Sequence, residues 1–254
     1  MKFIFKNAGY FIVIFLLFII ISSCNKNDIA PNENVRGGIA LTFDDNYINN
    51  WYSYINLFDS FGVKATFFIS NYNKLTPDQI IKLKALRDHG HEIAFHSTNH
   101  PNFLKYVDTA GINNLFEREI KKGLRLMNKD GFYPTTFAYP YGSHNDIIDK
   151  LLLTQFKSIR ALNGTHDLAR SLAPLRDNKL IFGLGIDESS KRRLSKIEGL
   201  LYLAKETNTC SVLLIHNIER STTRFQIPLW KLRKILIRAK SLSLKFYTIS
   251  EISK

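Results

Sequence analysis

The 254-residue sequence contains little cysteine, since Cys24 and Cys210 are its only two thiols. If Cys24 is chemically modified, no intramolecular disulfide can form, even in an oxidising compartment. Stability must then come from a hydrophobic core. Cys210 stands at the start of an apolar run, and we expect a small buried hydrophobe there instead of a nucleophile.

The sequence also lacks an apolar run long enough to span a membrane comfortably. Lys2 and Lys6 precede an uncharged apolar run from Ala8 to Ile21, which has the layout of a secretory signal. The run ends in Ile21-Ser22-Ser23-Cys24, which resembles the lipobox of bacterial lipoproteins. An ordinary signal peptide with a chance cysteine and an uncleaved anchor are the alternatives. We predict a signal peptide over residues 1–23 and a lipidated Cys24 that anchors an exported bacterial protein to a membrane.

Internal repeats are absent, and apolar residues are scarce between Asn25 and Arg36. This asparagine-rich segment with Pro31 cannot bury enough surface to order itself, so residues 24–36 are predicted to be the lipidated cysteine and a flexible tether. The rest of the chain is long enough for one large core, and 45% of all residues are hydrophobic. We therefore expect a single domain over residues 37–254.

Acidic residues are outnumbered, 22 against 35 basic ones, which gives a formal net charge of +13. Such a charge favours anionic surfaces, for example phospholipid headgroups or acidic glycans. A nucleic-acid partner is not expected, because the basic residues are scattered, no nucleic-acid motif occurs and the leader directs the chain out of the cytoplasm. The sequence does not point to a protein partner.

Short apolar runs rich in β-branched and aromatic residues alternate with segments of helical period. The predicted strands are Gly38–Phe43, Ala65–Ser70, Glu92–Phe95, Thr136–Tyr139, Ser158–Ala161, Ile181–Ile186, Ser211–Ile215 and Phe246–Ile249. The predicted helices are Trp51–Phe61, Pro77–His89, Asn113–Asn128, Asp146–Phe156, Ser195–Thr207 and Pro228–Ser241. Thr76 and Pro77 stand in the order that a helix start prefers. Seven or eight such βα units predict an α/β barrel with its functional groups at the strand ends.

Polar residues stand directly after several of these strands, and we expect them to converge on one rim. They are Asp44, Asp45, His96, Tyr141, Asp187 and His216. His96 and His100 flank a tight turn, and with a carboxylate they form the two-histidine, one-carboxylate set typical of catalytic zinc. Taken singly, such a histidine pair often serves the core, and adjacent acids often cap a helix.

Four segments occur in the order and approximate spacing of the polysaccharide deacetylase family, also called the NodB-homology group or carbohydrate esterase family four. They are Leu41-Thr42-Phe43-Asp44-Asp45, His96-Ser97-Thr98-Asn99-His100-Pro101, Phe137-Ala138-Tyr139-Pro140-Tyr141-Gly142 and Leu214-Ile215-His216. The resemblance spans residues from about Gly37 to Ile218. It implies a deformed (β/α) barrel of about seven strands that removes acetyl groups from N-acetylated sugars of polysaccharides.

The resemblance also implies a role for each matching residue. Asp44 resembles the general base and His216 the general acid, while the backbone N–H of Tyr141 matches a donor to the oxyanion. The implied metal ligands are Asp45, His96 and His100. The cofactor is one divalent ion, with zinc as the default, because such ligands also accept cobalt, nickel, iron or manganese. In this scheme metal-bound water attacks the acetamide.

The sequence departs from the family pattern in its third motif, where an arginine often orients the base and none occurs. Arg160 lies within an apolar strand and needs an anionic partner, so we predict that it pairs with Asp44. Asp187 either keeps His216 charged or only begins the turn before Glu188, and the two interpretations carry equal weight. Trp51 and Trp230 are expected in the core because of their apolar period.

Three other functions compete with N-deacetylation of an envelope or extracellular polysaccharide. The same site could hydrolyse O-acetyl esters of a glycan such as xylan. A second alternative is a glycan-binding surface lipoprotein whose barrel has lost catalysis, although every polar group for metal, base and acid is present. The last is an interaction domain held against the membrane, which leaves the order of the motifs unexplained.

Overall fold

A computed structural model describes residues 36–219 and 224–254. Its strands are β1 (Gly38–Asp45), β2 (Ala65–Ile69), β3 (Glu92–Phe95), β4 (Thr136–Ala138), β5 (Ser158–Leu162), β6 (Leu172–Ala173), β7 (Leu180–Gly185), β8 (Cys210–Ile215), β9 (Asn217–Glu219), β10 (Gln226–Pro228) and β11 (Lys245–Phe246). β1 pairs in parallel with both β2 and β8, and the order β1-β2-β3-β4-β5-β7-β8 closes into a ring of seven parallel strands. The predicted barrel is confirmed.

The ring is irregular, as the deformed barrel predicts. β4 has three residues and meets β3 through one residue pair, Phe95 with Phe137. Two short strands lie beside the ring: β11 pairs in parallel with the start of β1, and β6 runs antiparallel to β8. β9 and β10 form a separate two-stranded sheet beyond the end of β8.

The α-helices are α1 (Ile48–Ser53), α2 (Ile55–Phe61), α3 (Pro77–Asp88), α4 (Phe103–Ala110), α5 (Ile112–Leu115), α6 (Lys122–Lys129), α7 (Asp146–Leu152), α8 (Leu194–Glu206), α9 (Leu229–Ser241) and α10 (Ile249–Ile252). The start of α3 follows the prediction, since Thr76 accepts from the Gln79 N–H and Gln79 accepts from the Thr76 N–H in a capping box. Among the described helices, none combines the length and the hydrophobicity that crossing a bilayer requires.

Two predicted helices are interrupted. The segment predicted as Trp51–Phe61 starts earlier and breaks at Tyr54 into α1 and α2. The segment predicted as Asn113–Asn128 contains a π-helix over Phe116–Lys121 between α5 and α6. The hydrophobic period of the sequence does not distinguish a turn of α-helix from a turn of π-helix, because both keep one face towards the core.

The alternation of side chains along the strands separates two packed layers. The outward-facing residues pack against the helices in a large cluster that includes Leu41, Phe43, Phe67, Phe95 and Phe137. The inward-facing residues are smaller, and the interior cluster includes Ala40, Phe68, Ala94, Ala138 and Val212. Small interior residues leave room near the carboxyl ends of the strands for buried polar groups.

The predicted final strand Phe246–Ile249 is wrong in its second half. β11 ends at Phe246, and Ile249 begins α10, whose N-cap Thr248 forms a capping box with Glu251. Ile249 and Ile252 pack against the interior cluster, and the Ile249 N–H donates to Thr66 Oγ1 at 2.9 Å. This segment closes the amino-terminal end of the barrel, so its polar caps outweigh its β-branched composition.

The predicted signal peptide, the lipidated Cys24 and the tether as far as residue 35 lie outside the described residues. Arg36 is described, and its carbonyl accepts from the Tyr247 hydroxyl at 3.0 Å. Cys210 is fully buried, as predicted, and burial raises the pKa of its thiol. A thiol in that environment is inert.

Candidate active site

The carboxyl ends of the barrel strands surround a cavity of about 790 Å³. Every site residue predicted for the barrel domain lines it: Asp44, Asp45, His96, His100, Tyr141, Arg160, Asp187 and His216. These residues come from six separate segments of the chain, so the fold brings together groups that the sequence keeps far apart. Their position at the strand ends is the one expected for a (β/α) barrel.

Three potential ligand atoms face one another at the cavity floor. Asp45 Oδ1 lies 3.3 Å from His100 Nε2 and 3.9 Å from His96 Nε2, and the two Nε2 atoms lie 3.2 Å apart. A tetrahedral ion with ligands at about 2.0–2.1 Å separates its ligand atoms by roughly 3.3 Å. The triangle formed by Asp45, His96 and His100 therefore has the size that a zinc-like ion needs.

The protonation state of His96 fits the same role. Its Nδ1–H donates to the Ala138 carbonyl at 2.7 Å, which leaves an electron pair on Nε2 directed at His100. Burial lowers the pKa of His96 to about 3, against the opposing charge of Asp44, so the ring is neutral. A neutral imidazole whose free nitrogen faces another nitrogen is suited to share a cation with it.

The loop between the two histidines is tightly held. Ser97 and His100 both have left-handed backbone conformations, with φ of 68° and 58°, and the Ser97 hydroxyl accepts from the His100 N–H at 2.9 Å. Glu119 binds the middle of the loop, because its two carboxylate oxygens accept from the N–H and the side-chain amide of Asn99, each at 2.8 Å. The loop between His96 and His100 is therefore anchored by a residue that does not line the cavity.

Glu119 belongs to the π-helix, and this explains how it reaches the loop. Its backbone carbonyl accepts both the N–H and the hydroxyl of Thr98 at 3.0 Å, and its side chain is 2% exposed. Gly123, one turn later, permits the close approach, since a Cβ there would stand 2.7 Å from Thr98 Oγ1. This anchor was not predicted. In the sequence Glu119 is only one acid within a helical segment, and its burial becomes visible in the structure alone.

Asp44 and Arg160 form a buried pair inside the barrel, as the sequence analysis predicted. Arg160 Nη2 donates to both oxygens of Asp44, and the two residues are 0% and 3% exposed. Burial alone would raise the pKa of Asp44, but Arg160, His96 and His216 outweigh it and hold that pKa below its ordinary value. Asp44 is therefore ionised and fixed in orientation.

Space for the Arg160 side chain comes from its neighbours. A Cβ on Gly183 would lie 3.0 Å from Arg160 Cδ, and the guanidinium carbon stands 5.1 Å from the centre of the Phe68 ring. The strand register places Arg160 beside Ala138, the position in the third motif that offers no arginine. Arg160 therefore reaches Asp44 from β5, the neighbour of β4, which carries Ala138.

His216 and Asp187 form a second pair across the cavity. His216 Nδ1 lies 2.5 Å from Asp187 Oδ2, and the indole N–H of Trp51 donates to the His216 carbonyl at 2.7 Å. Burial opposes a charged imidazole, but the hydrogen bond to Asp187 and the nearby carboxylates outweigh it and raise the pKa of His216. Asp187 also begins a turn, since its carbonyl accepts from the Ser190 N–H at 3.0 Å, but its pairing with His216 shows that it does not only begin the turn.

Tyr141 stands in a strained turn at the rim. Its φ of 58° is left-handed, and the two hydrogen bonds of the turn are donated by Gly142 and Ser143, so the Tyr141 N–H takes part in neither. Gly142 is required because a Cβ there would meet Leu162 Cβ at 2.6 Å. The Tyr141 side chain is 64% exposed and its ring lies 4.8 Å from that of His100.

A cluster of three polar side chains behind this turn was not predicted from the sequence. The Tyr139 hydroxyl donates to Asp149 at 2.6 Å, and His144 Nδ1 lies 3.0 Å from the same carboxylate. Tyr139 and His144 flank the turn, so Asp149 at the start of α7 ties both of its ends together. Asp149 was hidden in the sequence as an ordinary acid in the first turn of a helix.

The two tryptophans differ in their exposure to solvent. Trp51 is fully buried, as expected, and packs against Phe67 and Phe43 with tilted rings. Trp230 is 53% exposed, and the prediction that it lies in the core is wrong. It stands at the second position of α9, whose buried face instead carries Leu232 and Ile235. A helical apolar period does not assign every member of the run to the inner face.

Comparisons with known proteins agree with this arrangement. Residues 32–155 match the family described as polysaccharide deacetylase. A probable peptidoglycan-N-acetylglucosamine deacetylase of Arthroderma benhamiae is 29% identical over 116 residues, which are 45% of this chain and 26% of that protein. The peptidoglycan-N-acetylglucosamine deacetylase of Listeria monocytogenes is 27% identical over 117 residues, 46% of this chain and 24% of that one. The chain thus aligns with about a quarter of these curated relatives.

Solved structures share the fold over most of the chain. The family 4 carbohydrate esterase of Streptomyces lividans has a TM-score of 0.58 and 18% identity, and covers 85% of this chain and 94% of its own. The carbohydrate esterase domain of a xylanase from the hindgut metagenome of Trinervitermes trinervoides has a TM-score of 0.59 and 22% identity, with 85% and 89% covered. Residues 32–155, just under half of the chain, thus match the polysaccharide deacetylase family, and the barrel is similar in fold to these carbohydrate esterases.

Proposed function

We propose that this protein removes N-acetyl groups from a polysaccharide that contains N-acetylhexosamine. The observation that supports this function best is the placement of three units around one cavity: a ligand triangle, an oriented base and a paired imidazole. Each of the three assists hydrolysis of an amide, because water is a weak nucleophile and an amine is a poor leaving group. The names of the relatives, which include peptidoglycan and chitin deacetylases, point to the same reaction.

Asp45, His96 and His100 would hold one divalent cation, with zinc as the first choice because the set is mixed nitrogen and oxygen and the triangle is small. Such an ion supplies a water of lowered pKa and polarises the acetyl carbonyl. Asp44 then has the limited task of accepting a proton from the attacking water, and Arg160 keeps its carboxylate in place.

The remaining steps fall to Tyr141 and His216. The free N–H of Tyr141 would donate to the oxyanion that develops on the acetyl group. His216, whose Nδ1 is held by Asp187, would transfer a proton from its other ring nitrogen to the departing amine. The raised pKa of His216 favours amide over ester hydrolysis, because an alkoxide leaves with less need of a proton than an amine does.

The test is acetate release by the full-length protein in detergent, stripped of metal and reloaded with zinc, on N-acetylglucosamine oligomers and on acetylated xylan. We expect release from the oligomers that depends on the metal and disappears in Asp44→Asn. Release from xylan alone would contradict N-deacetylation and assign the protein to the O-acetyl esterases. Glycan binding without any acetate release, by protein that holds zinc, would support an inactive glycan-binding lipoprotein.

We also propose that the enzyme is exported and anchored at the cell envelope through lipid on Cys24. The support is the sequence alone: two lysines, an apolar run and the lipobox-like residues before Cys24. Metabolic labelling with a fatty acid in a bacterial host should mark the wild-type protein and leave Cys24→Ser unlabelled. Equal labelling of both proteins would contradict the anchor at this residue.

A further inference from the structure

The charged groups that line the cavity are mostly neutralised by one another. Two ion pairs account for four of them, Asp44 with Arg160 and Asp187 with His216. Asp45 is directed at the two histidines. Two cavity arginines are left, Arg192 and Arg224, and neither makes an ion pair within 4.0 Å among the residues that the structure describes.

Arg192 is the better fixed of the two. Its Nε–H donates to the Gly185 carbonyl at 3.1 Å, which holds the side chain against the end of β7. The turn that carries it is braced, since the Ser190 hydroxyl donates to the Asp187 carbonyl at 2.6 Å. The two terminal nitrogens of Arg192 make no hydrogen bond to any described residue. The guanidinium is therefore oriented through Nε, and its two terminal nitrogens have no partner among the described residues.

The nearest acid in the same turn is already engaged. Glu188 accepts from Lys231 Nζ at 3.1 Å, and Lys231 also donates to the Ile186 carbonyl at 3.1 Å. Lys231 is 4% exposed, so its charge depends on these two partners. Glu188 therefore does not neutralise Arg192, whose sequence neighbours Lys191 and Arg193 are basic as well.

A neutral sugar chain in this cavity would displace water from two guanidinium groups and offer them only hydroxyls in return. An oxyanion would meet the planar fork of a guanidinium with two parallel hydrogen bonds. We propose that the cavity binds a glycan with a carboxylate or sulfate close to the acetylated sugar, and that Arg192 binds this anion. This inference rests on the proposed function, because it names the charge of the same substrate.

The test compares three tetrasaccharides by calorimetry with the full-length protein stripped of metal, so that no tetramer is turned over during the titration. One is the neutral N-acetylglucosamine tetramer, one alternates N-acetylglucosamine with glucuronate, and one carries 6-sulfate groups on N-acetylglucosamine. Arg192→Gln should lower the affinity for an acidic tetramer, relative to the neutral one, by about tenfold or more. Arg193→Gln is the matched control, since Arg193 is exposed and does not line the cavity, and it should leave that ratio unchanged.

Added salt should weaken the acidic tetramers more than the neutral one, because the Arg192 side chain is only partly buried. A loss confined to the glucuronate or to the sulfated tetramer identifies the anion, and either result supports the inference. Equal wild-type affinity for neutral and acidic tetramers, or equal weakening of both in Arg192→Gln, overturns it. Since binding is read without acetate release, a protein that released no acetate would contradict the proposed function and still test Arg192.

Discussion

Arg160 and Asp44 are 116 residues apart in sequence and meet in the interior of the barrel, where one guanidinium nitrogen donates to both carboxylate oxygens. The strands that carry them, β5 and β1, are not neighbours in the sheet, so the contact crosses the barrel. A base held in this way is ionised and unable to rotate. The pair therefore makes predictions about both turnover and stability.

Arg160→Met should lower acetate release by roughly a hundredfold or more, because an unsupported base loses its orientation and part of its charge. Without Arg160 the pKa of Asp44 rises, so activity should be lost at a higher pH on the acidic side of the pH profile. The measurement is kcat/KM on N-acetylglucosamine oligomers across pH. Normal turnover by Arg160→Met would contradict the proposal that Arg160 orients the base.

The same variant leaves a buried carboxylate without its partner and should be less stable by about 3–5 kcal/mol. The double variant Asp44→Asn with Arg160→Met removes both charges and should recover most of that loss in thermal denaturation. An unstable double variant would mean that the pair is not the cause of the loss. This control separates misfolding from a catalytic defect.

Glu119 should control metal affinity without touching the metal. Glu119→Ala frees Asn99, whereas Thr98 keeps its bonds to the backbone carbonyl of residue 119. We expect a loss of roughly 10–100-fold in zinc affinity, measured by competition with a chelating dye. Glu117→Ala is the control, because Glu117 lies in the same π-helix, is exposed and, among the described residues, pairs only with Lys121. Equal zinc affinity in the two variants would contradict the role of Glu119.

Asp187→Asn should shift the basic side of the pH profile. His216 must be protonated to act as the acid, and its pKa is raised by Asp187, so activity falls as pH rises through that pKa. Removing the carboxylate lowers the pKa of His216, and the fall should begin at a lower pH. An unchanged basic limb on the amide substrate would show that Asp187 has only its structural part in the turn.

His91 predicts a pH dependence of stability away from the cavity. It is 4% exposed and its Nδ1 accepts from the Ala65 N–H, while burial lowers its pKa to about 4. Between pH 6.5 and 4 the unfolded state binds the extra proton, so the free energy of unfolding falls as pH falls, by at most about 3 kcal/mol. His91→Asn keeps an acceptor and should show less of this fall in urea denaturation. An identical pH dependence in the two proteins would contradict the assignment.

Much of the barrel follows from local sequence. The strand Glu92–Phe95 was predicted with its observed bounds, since its apolar residues and flanking polar ones mark both ends. Ile249 shows the limit: its β-branched neighbourhood suggested a strand, whereas Thr248 and Glu251 cap a helix, a signal present in the sequence but not weighed. α4 was missed altogether, although Asn102 caps it.

The residues of the site also divide into those that the sequence predicts and those that it does not. Residues that end strands were predicted because the barrel brings all strand ends to one rim. Glu119 and Asp149 were not, because each sits on a helix and reaches the site only through tertiary contacts. Arg160 could be anticipated since a lone charge in an apolar strand needs a partner, and the partner had to come from another strand.

The pairing of β1 with β8 has a consequence for how the protein matures. Six consecutive residues of β1, starting at Gly38, align with β8, starting at Cys210, and His216 follows β8 directly. Closure is therefore a contact of high sequence separation, which makes it slow compared with helix formation. During refolding, helical signal should return first and the proposed turnover should return with ring closure, because Asp44 and His216, the proposed base and acid, come together only when β1 pairs with β8. Recovery of that activity would therefore report on closure of the ring.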